Sequence, residues 1–300
     1  MRKFLRDIGI GAVALLIVFG GIEWIAESIP NSYTYKREYM ERHGGEIKTL
    51  ILGSSNAYDG LCPEVFTCGA FNLANSSQTL EDDYQLLERY IDDMDSLQTV
   101  IVGLGYHSLG AVTEDNRRTY YTIYMGLYPR WPISKYSFEV FNLELLTKKI
   151  IKYAVSRDVT RCDSLGQRIG HTAEAVKESR EFWNKDARTL AEYDRIRGLE
   201  VSGLVERNIQ FLYKIIRLCE THNVKLVIVT MPVRREYKEA LPKEQVVLHD
   251  SVMSNLPLGA IYIDASDWEI LEDGWYNATH LTKEESVEFT RRVRESIEDR

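Results

Sequence analysis

The residues best suited to chemistry lie at the two ends of this 300-residue chain. A short apolar run, Thr49-Leu50-Ile51-Leu52, breaks at Gly53-Ser54-Ser55-Asn56, so a strand would end by presenting the Ser55 hydroxyl at a sheet edge. A hydroxyl becomes a nucleophile only when a neighbouring base removes its proton. Far downstream, Tyr276-Asn277-Ala278-Thr279-His280-Leu281 sets a histidine just ahead of a predicted helix, where it could act as that base. Paired, Ser55 and His280 would support acyl transfer. Taken singly, a serine after a strand more often caps a helix or tightens a turn.

Such a pairing needs a scaffold that brings distant segments to one edge. Short Val-, Ile- and Leu-rich runs alternate with amphipathic stretches, the pattern of a parallel sheet covered by helices on both faces. The spacing predicts strands over Lys48–Leu52, Ala70–Leu73, Thr99–Leu104, Lys225–Met231 and Ala260–Asp264, and helices over Leu80–Asp92, Val205–Thr221 and Lys283–Ile297. Thr282, with Glu285 three residues on, is a start signal for the last helix. The stretch from Tyr106 to Ser202 is far longer than a crossover requires and is expected as a helical insertion over the carboxyl ends of the strands. It holds an aromatic-rich part, Tyr120 to Trp131, that could clamp a sugar or simply pack, and a charged helical part from Ala173 to Arg197.

The first thirty residues differ in character. Arg2, Lys3 and Arg6 precede an apolar segment from Ile8 to about Ala26, which at roughly 1.5 Å per residue can cross a hydrocarbon core of about 30 Å. The basic start favours the cytoplasmic side, which places everything after residue 30 outside the cytoplasm. A cleaved signal peptide and a buried helix of a soluble protein are the competing readings; the length of the run and the lack of a small-x-small cleavage site favour an anchor. Residues 1–30 are therefore read as an anchor and 31–300 as one α/β domain carrying the insertion at about 106–202.

A net charge of −8 gives no positive field to gather a phosphate backbone, so nucleic acid is not an expected partner. Cys62 and Cys68 enclose five residues and could form a disulfide in an exported domain, whereas Cys162 and Cys219 read as unpaired thiols without metal-type spacing. Glu81-Asp82-Asp83 at a helix start is what the helix dipole favours. No metal and no cofactor is expected.

With Gly53-Ser54-Ser55, Phe71 to Gln78 after the second strand and a His-Leu before the last helix in this order, the chain resembles the SGNH/GDSL hydrolase superfamily, particularly its membrane-anchored branch acting on envelope polysaccharides. The resemblance covers most of residues 47–110 and 224–297. It implies a three-layer, flavodoxin-like parallel sheet with the site at the carboxyl ends of its strands. It places the nucleophile on Ser55, with Ser54 where the family carries aspartate, and maps Asp-x-x-His onto Asn277-Ala278-Thr279-His280. The second block implies oxyanion donors near Ala74 and Asn75. Where the family often has Gly-x-Asn-Asp, this chain reads Gly103-Leu104-Gly105-Tyr106-His107, so Asn75, Asn56 or a backbone amide would replace the usual asparagine, and His107 could contact substrate or be an ordinary strand-end histidine.

Asn277 can orient a neutral imidazole but supplies no charge for the imidazolium; Asp264, Asp267 or Asp273 could substitute. The expected function is an extracytoplasmic serine esterase or O-acyltransferase acting on acyl, notably acetyl, esters of a cell-surface carbohydrate. Water as acceptor makes it an esterase and a sugar hydroxyl makes it a transferase. The alternative is a catalytically silent protein of this fold that binds glycan or an envelope-assembly partner. A phosphodiesterase or nuclease is disfavoured, since neither a cluster of metal ligands nor phosphate-cradling glycines accompany the serine.

Overall fold

A computed structural model describes residues 1–66, 69–156, 160–170, 187–194 and 203–299. Five strands form one parallel sheet in the order β2-β1-β3-β4-β5: β1 Thr49–Gly53, β2 Ala70–Asn72, β3 Thr99–Leu104, β4 Lys225–Thr230 and β5 Ala260–Asp264. Leu50 to Leu52, Val100 to Val102 and Leu226 to Val229 are buried without alternation, as strands covered on both faces must be. The expected strands are all present, with ends shifted by a residue.

The helices are α1 Arg2–Ser28, α2 Ser32–His43, α3 Ser55–Gly60, α4 Leu80–Tyr90, α5 Asp115–Ile123, α6 Leu143–Ser156, α7 Leu204–Thr221, α8 Arg235–Ala240, α9 Lys243–Ser254 and α10 Lys283–Glu298. On one face of the sheet α3 packs against β1, β3 and α10; on the other α4 packs against β1 and α7, and α7 against β4. Right-handed crossovers require this alternation, because the chain moves from β1 to β2 in one direction and from β2 to β3 in the other. The result is a three-layer α/β fold of flavodoxin-like strand order.

Two glycines let the serine helix begin where β1 ends. Gly53 has φ +128, and a Cβ there would lie 2.4 Å from the Gly103 carbonyl oxygen; a Cβ on Gly103 would lie 2.7 Å from that of Ala57 on α3. Gly53 and Gly103 are register partners. Bare backbone at this pair allows α3 to lie against the sheet and turns the chain within one residue.

The chain divides into two compact units, 1–38 with 114–161 and 39–113 with 162–300. In the smaller unit the end of α1 is built into the packing. The Glu23 carboxylate accepts the Glu139 and Val140 N–H groups at 2.9 and 3.1 Å, and Phe19 meets Phe138 and Phe141 at 5.7 Å. Buried Lys149 donates to the Ala26 carbonyl at 2.6 Å, to Glu139 at 3.0 Å and to the Tyr124 hydroxyl. Burial lowers the Lys149 pKa, against the pull of Glu139. α1 itself, 27 residues with a mean hydropathy of 2.2 in its most apolar window, is long and apolar enough to cross a membrane.

The aromatic-rich stretch, read from sequence as a sugar clamp or as packing, is engaged within its own unit: Tyr120 and Tyr121 each lie 5.2 Å from Tyr33, and the Arg118 guanidinium sits over Tyr128 at 3.2 Å. Most of the charged stretch Ala173 to Arg197 lies outside the described residues, as does Cys68. Its expected partner Cys62 is a buried free thiol, with a pKa raised chiefly by burial.

Replacing Gly53 by alanine forces a side chain into a positive φ and against a carbonyl oxygen, which costs about 1–3 kcal/mol from the backbone conformation alone. Thermal unfolding of full-length Gly53→Ala in detergent should show a lower midpoint; an unchanged midpoint would mean that β1 can turn another way.

Candidate active site

Ser55 opens α3 directly after β1, with Ser54 as the N-cap. As the first residue of a helix, its N–H has no intrahelical acceptor and faces outward with the positive end of the helix dipole. His280 stands in the loop between β5 and α10. That loop is closed on itself: Trp275 and Leu281 form an antiparallel bridge, Tyr276 N–H donates to the His280 carbonyl at 2.9 Å, and Thr282 N–H donates to the Gly274 carbonyl at 2.8 Å. Thr282 then caps α10 through the Glu285 N–H. Histidine therefore projects from a braced turn.

The fold brings these two side chains together across 225 residues, with Ser55 Oγ 2.8 Å from His280 Nε2. His280 Nδ1 lies 2.9 Å from Asn277 Oδ1. The same amide oxygen accepts the Thr279 and His280 backbone N–H groups, each at 2.9 Å. Backbone N–H groups only donate, so the atom of Asn277 that faces them, and therefore the imidazole, is its oxygen. Nδ1 must then carry the proton. Nε2 is left as an acceptor for the Ser55 hydroxyl, the tautomer a general base requires. Asn277 is 5% exposed, so water competes little for this oxygen.

Asn56 joins the two halves. Its amide Nδ2 donates to the Thr279 carbonyl at 2.6 Å and its Oδ1 accepts from Ser54 Oγ at 3.1 Å. It thereby positions the histidine turn. Ala74 corrects one sequence expectation, because its N–H donates to Asn72 Oδ1 at 3.0 Å. His107 Nδ1 lies 4.0 Å from Asp194, whose carboxylate also accepts from the buried Tyr237 hydroxyl. Asn75 is different. Its backbone N–H donates to the Gly53 carbonyl at 3.2 Å, beside the serine turn, while its buried Nδ2 has no hydrogen-bond partner. An enclosed donor without an acceptor costs roughly 1–3 kcal/mol.

Three residues outside the sequence-based set complete the site. Asp59 lies one helical turn after Ser55, and its Oδ2 is 3.8 Å from His280 Nε2; the i, i+4 spacing on a helix was the signal that could have found it. Arg168 holds Asp59 in a two-pronged pair, Nε to Oδ1 at 3.0 Å and Nη1 to Oδ2 at 3.1 Å, and also reaches Ser76 Oγ. Nothing near Arg168 in sequence announces this. Neither Asp264 nor Asp267 supplies the carboxylate: Asp264 accepts from Ser266 N–H and Asp267 pairs with Lys238. Beneath the turn, buried Asp83 accepts the Gly53 N–H at 2.9 Å and the Gln78 amide at 2.6 Å, while Asp82 forms a capping box with Thr79. The acidic run thus serves the helix start and the serine turn.

No family model matches the chain, and no curated protein matches it. Among solved structures, a protein from Streptococcus pneumonia described provisionally as a platelet activating factor is similar at 10% identity and a TM-score of 0.43, over 96% of this chain and 99% of that one. A GDSL-like lipase from Bacteroides thetaiotaomicron is similar at 11% identity and a TM-score of 0.42, over 89% of this chain and 98% of that one. Likenesses this loose assign no function here.

Burial lifts Asp83 from its usual 3.8 to about 7, more than the Gln78 and Gly53 hydrogen bonds lower it. A raised acid holds its proton more tightly in the folded state than in the unfolded chain. Its stabilising contribution is complete below about pH 4 and is lost as the pH climbs through 7. The stability of the wild type relative to Asp83→Asn should therefore fall between these limits, by up to about 4 kcal/mol. Parallel denaturation curves of the two proteins from pH 4 to pH 8 measure it; a constant difference would show that Asp83 ionises as freely when folded.

Proposed function

We propose that the chain is a serine esterase or O-acyltransferase that forms an acyl-enzyme on Ser55. The observation that carries this is the continuous relay from Ser55 Oγ through His280 to the Asn277 amide oxygen, with the histidine tautomer imposed by backbone donors. A half-buried, hydrogen-bonded and correctly polarised serine is what nucleophilic attack on a carbonyl requires.

In the reaction, Ser55 Oγ attacks an ester carbonyl as His280 Nε2 takes its proton. The carbonyl oxygen, now an anion, is stabilised by the Ser55 N–H and by Asn75 Nδ2. Collapse of the tetrahedral adduct breaks the bond to the leaving alcohol, which receives the proton from Nε2, and leaves the acyl group on Ser55. His280 then deprotonates an acceptor hydroxyl, which attacks the acyl carbon and releases Ser55. Water yields a free acid; a sugar hydroxyl yields a new ester.

Asn277 carries no charge to offset the imidazolium formed in each half-reaction. Asp59 offers one from the other side: its carboxylate lies 3.8 Å from Nε2, close enough for an opposite charge to favour the protonated ring. Arg168 offsets part of that charge and keeps the carboxylate facing the site. A neutral third residue beside the nearby carboxylate favours an active enzyme over a silent relative.

The reading extends to location. α1 is a membrane anchor with Arg2, Lys3 and Arg6 on the cytoplasmic side, and the catalytic unit stands outside the cytoplasm. The contacts of Phe19, Glu23 and Ala26 with residues 138–149 support a retained helix over a cleaved signal, since cleavage would strip Lys149 and the 139–140 backbone of their partners. An acylated surface carbohydrate is the substrate class.

Ser55→Ala should reduce hydrolysis of p-nitrophenyl acetate to the buffer rate and abolish labelling by a fluorophosphonate probe; labelling that survives would sink the assignment. In Asp59→Asn, loss of the carboxylate and a less neutralised Arg168 both disfavour the imidazolium. The base pKa read from the pH dependence of kcat/KM should drop, with a lower kcat. A superimposable profile would remove Asp59 from the mechanism.

A further inference from the structure

The smaller unit carries a second candidate site, independent of the serine. A cleft of about 340 Å³ opens among Arg117, Tyr120, Lys148, Lys149, Lys152 and Arg161, with Asn31 to Tyr33 along its edge. Five cations line it, and no carboxylate among the described residues does. Lys149 is neutralised by Glu139 beneath the floor, and exposed Lys148 pairs with Glu144 at the rim, where such a pair contributes little. Arg117 Nε and Asn116 Oδ1 are enclosed without hydrogen-bond partners, although a Glu114 oxygen lies 4.0 Å from the guanidinium. An unmet guanidinium donor among lysines is a site that an anion with several oxygens would complete.

We infer that this cleft binds a phosphate-bearing ligand. Its place in the chain favours one source: Asn31 follows the end of α1 by three residues, so if α1 is the anchor proposed above the cleft opens at headgroup level. α6 supports the same source. Leu145, Lys148 and Lys152 line the cleft, while Leu143, Ile151 and Val155 on the same helix are exposed, the division of an interfacial helix that sets apolar side chains into acyl chains and cations against phosphates. The ligand is accordingly the headgroup of an anionic phospholipid, held beside its own bilayer.

Titration calorimetry on the full-length protein in neutral detergent, with dihexanoyl phosphatidylglycerol, dihexanoyl phosphatidylcholine and glycerol phosphate as probes, separates the possibilities. Saturable binding of phosphatidylglycerol is expected, weakened roughly tenfold in Lys148→Gln/Lys152→Gln, with ester hydrolysis by that variant intact as the measure of folding. Arg117→Lys, which keeps the charge but loses the fork, should also weaken it. Glycerol phosphate binding as tightly as the lipid would overturn the lipid source. Equal binding of phosphatidylcholine, or no effect of either variant, would overturn the site itself. Flotation with neutral phosphatidylcholine vesicles tests the anchor separately: a protein that binds the probe yet fails to float removes the anchor and leaves the anion site.

Discussion

The candidate site depends on the orientation of one amide. Asn277 presents its oxygen, and not its nitrogen, to His280 because two backbone N–H groups of the same turn demand an acceptor. From that follow the proton on Nδ1, the lone pair on Nε2 and the hydroxyl hydrogen of Ser55 directed at it. The turn is self-bonded, and Asn56 fastens it to the start of the serine helix, so small rotations that would lengthen the 2.8 Å contact are resisted at both ends. Preorganisation of this kind is what separates a hydroxyl near an imidazole from a nucleophile.

Orientation and charge are divided between different residues. A single aspartate on Nδ1 would do both; here Asn277 orients the ring and Asp59, on the Nε2 side, provides the negative field. In the proposed reaction this division has a consequence for electrostatics, because Asp59 would act on the imidazolium from the Nε2 side. Its pairing with Arg168 would limit repulsion of the developing oxyanion while fixing the carboxylate. In the proposed reaction Asn75 Nδ2 and the Ser55 N–H would supply the compensating donors.

The smaller unit follows a different logic. A buried lysine and two carboxylates, Glu23 and Glu139, join the last turns of α1 to the segment around residue 139. Removing one partner of such a group strands another away from water, at about 3–5 kcal/mol, so the emerging helix is held in place by more than apolar contact. Rigid attachment at the end of α1 would fix the height of the basic cleft relative to a bilayer.

Much of the architecture was legible in order along the chain. Continuous apolar runs between amphipathic ones determined a parallel sheet, the Gly53-Ser54-Ser55 break marked the serine turn, and the helix-start signal at Thr282 located the histidine just upstream. These features are local: propensity, periodicity and caps act over a few residues. What the sequence could not determine were relations between segments that only packing brings together. It left Ala74 open as a donor, because whether an N–H is free depends on acceptors elsewhere, here Asn72, and it did not show that Asn56 reaches Thr279 or that His107 stands near Asp194. Arg168 joined the site from 109 residues beyond Asp59, and Asp83 came to lie beneath Gly53, where burial and not its neighbours in sequence controls its proton. The sequence determined which side chains could react; the tertiary structure decided which of their hydrogen bonds were already taken, since that depends on distance in space and not along the chain.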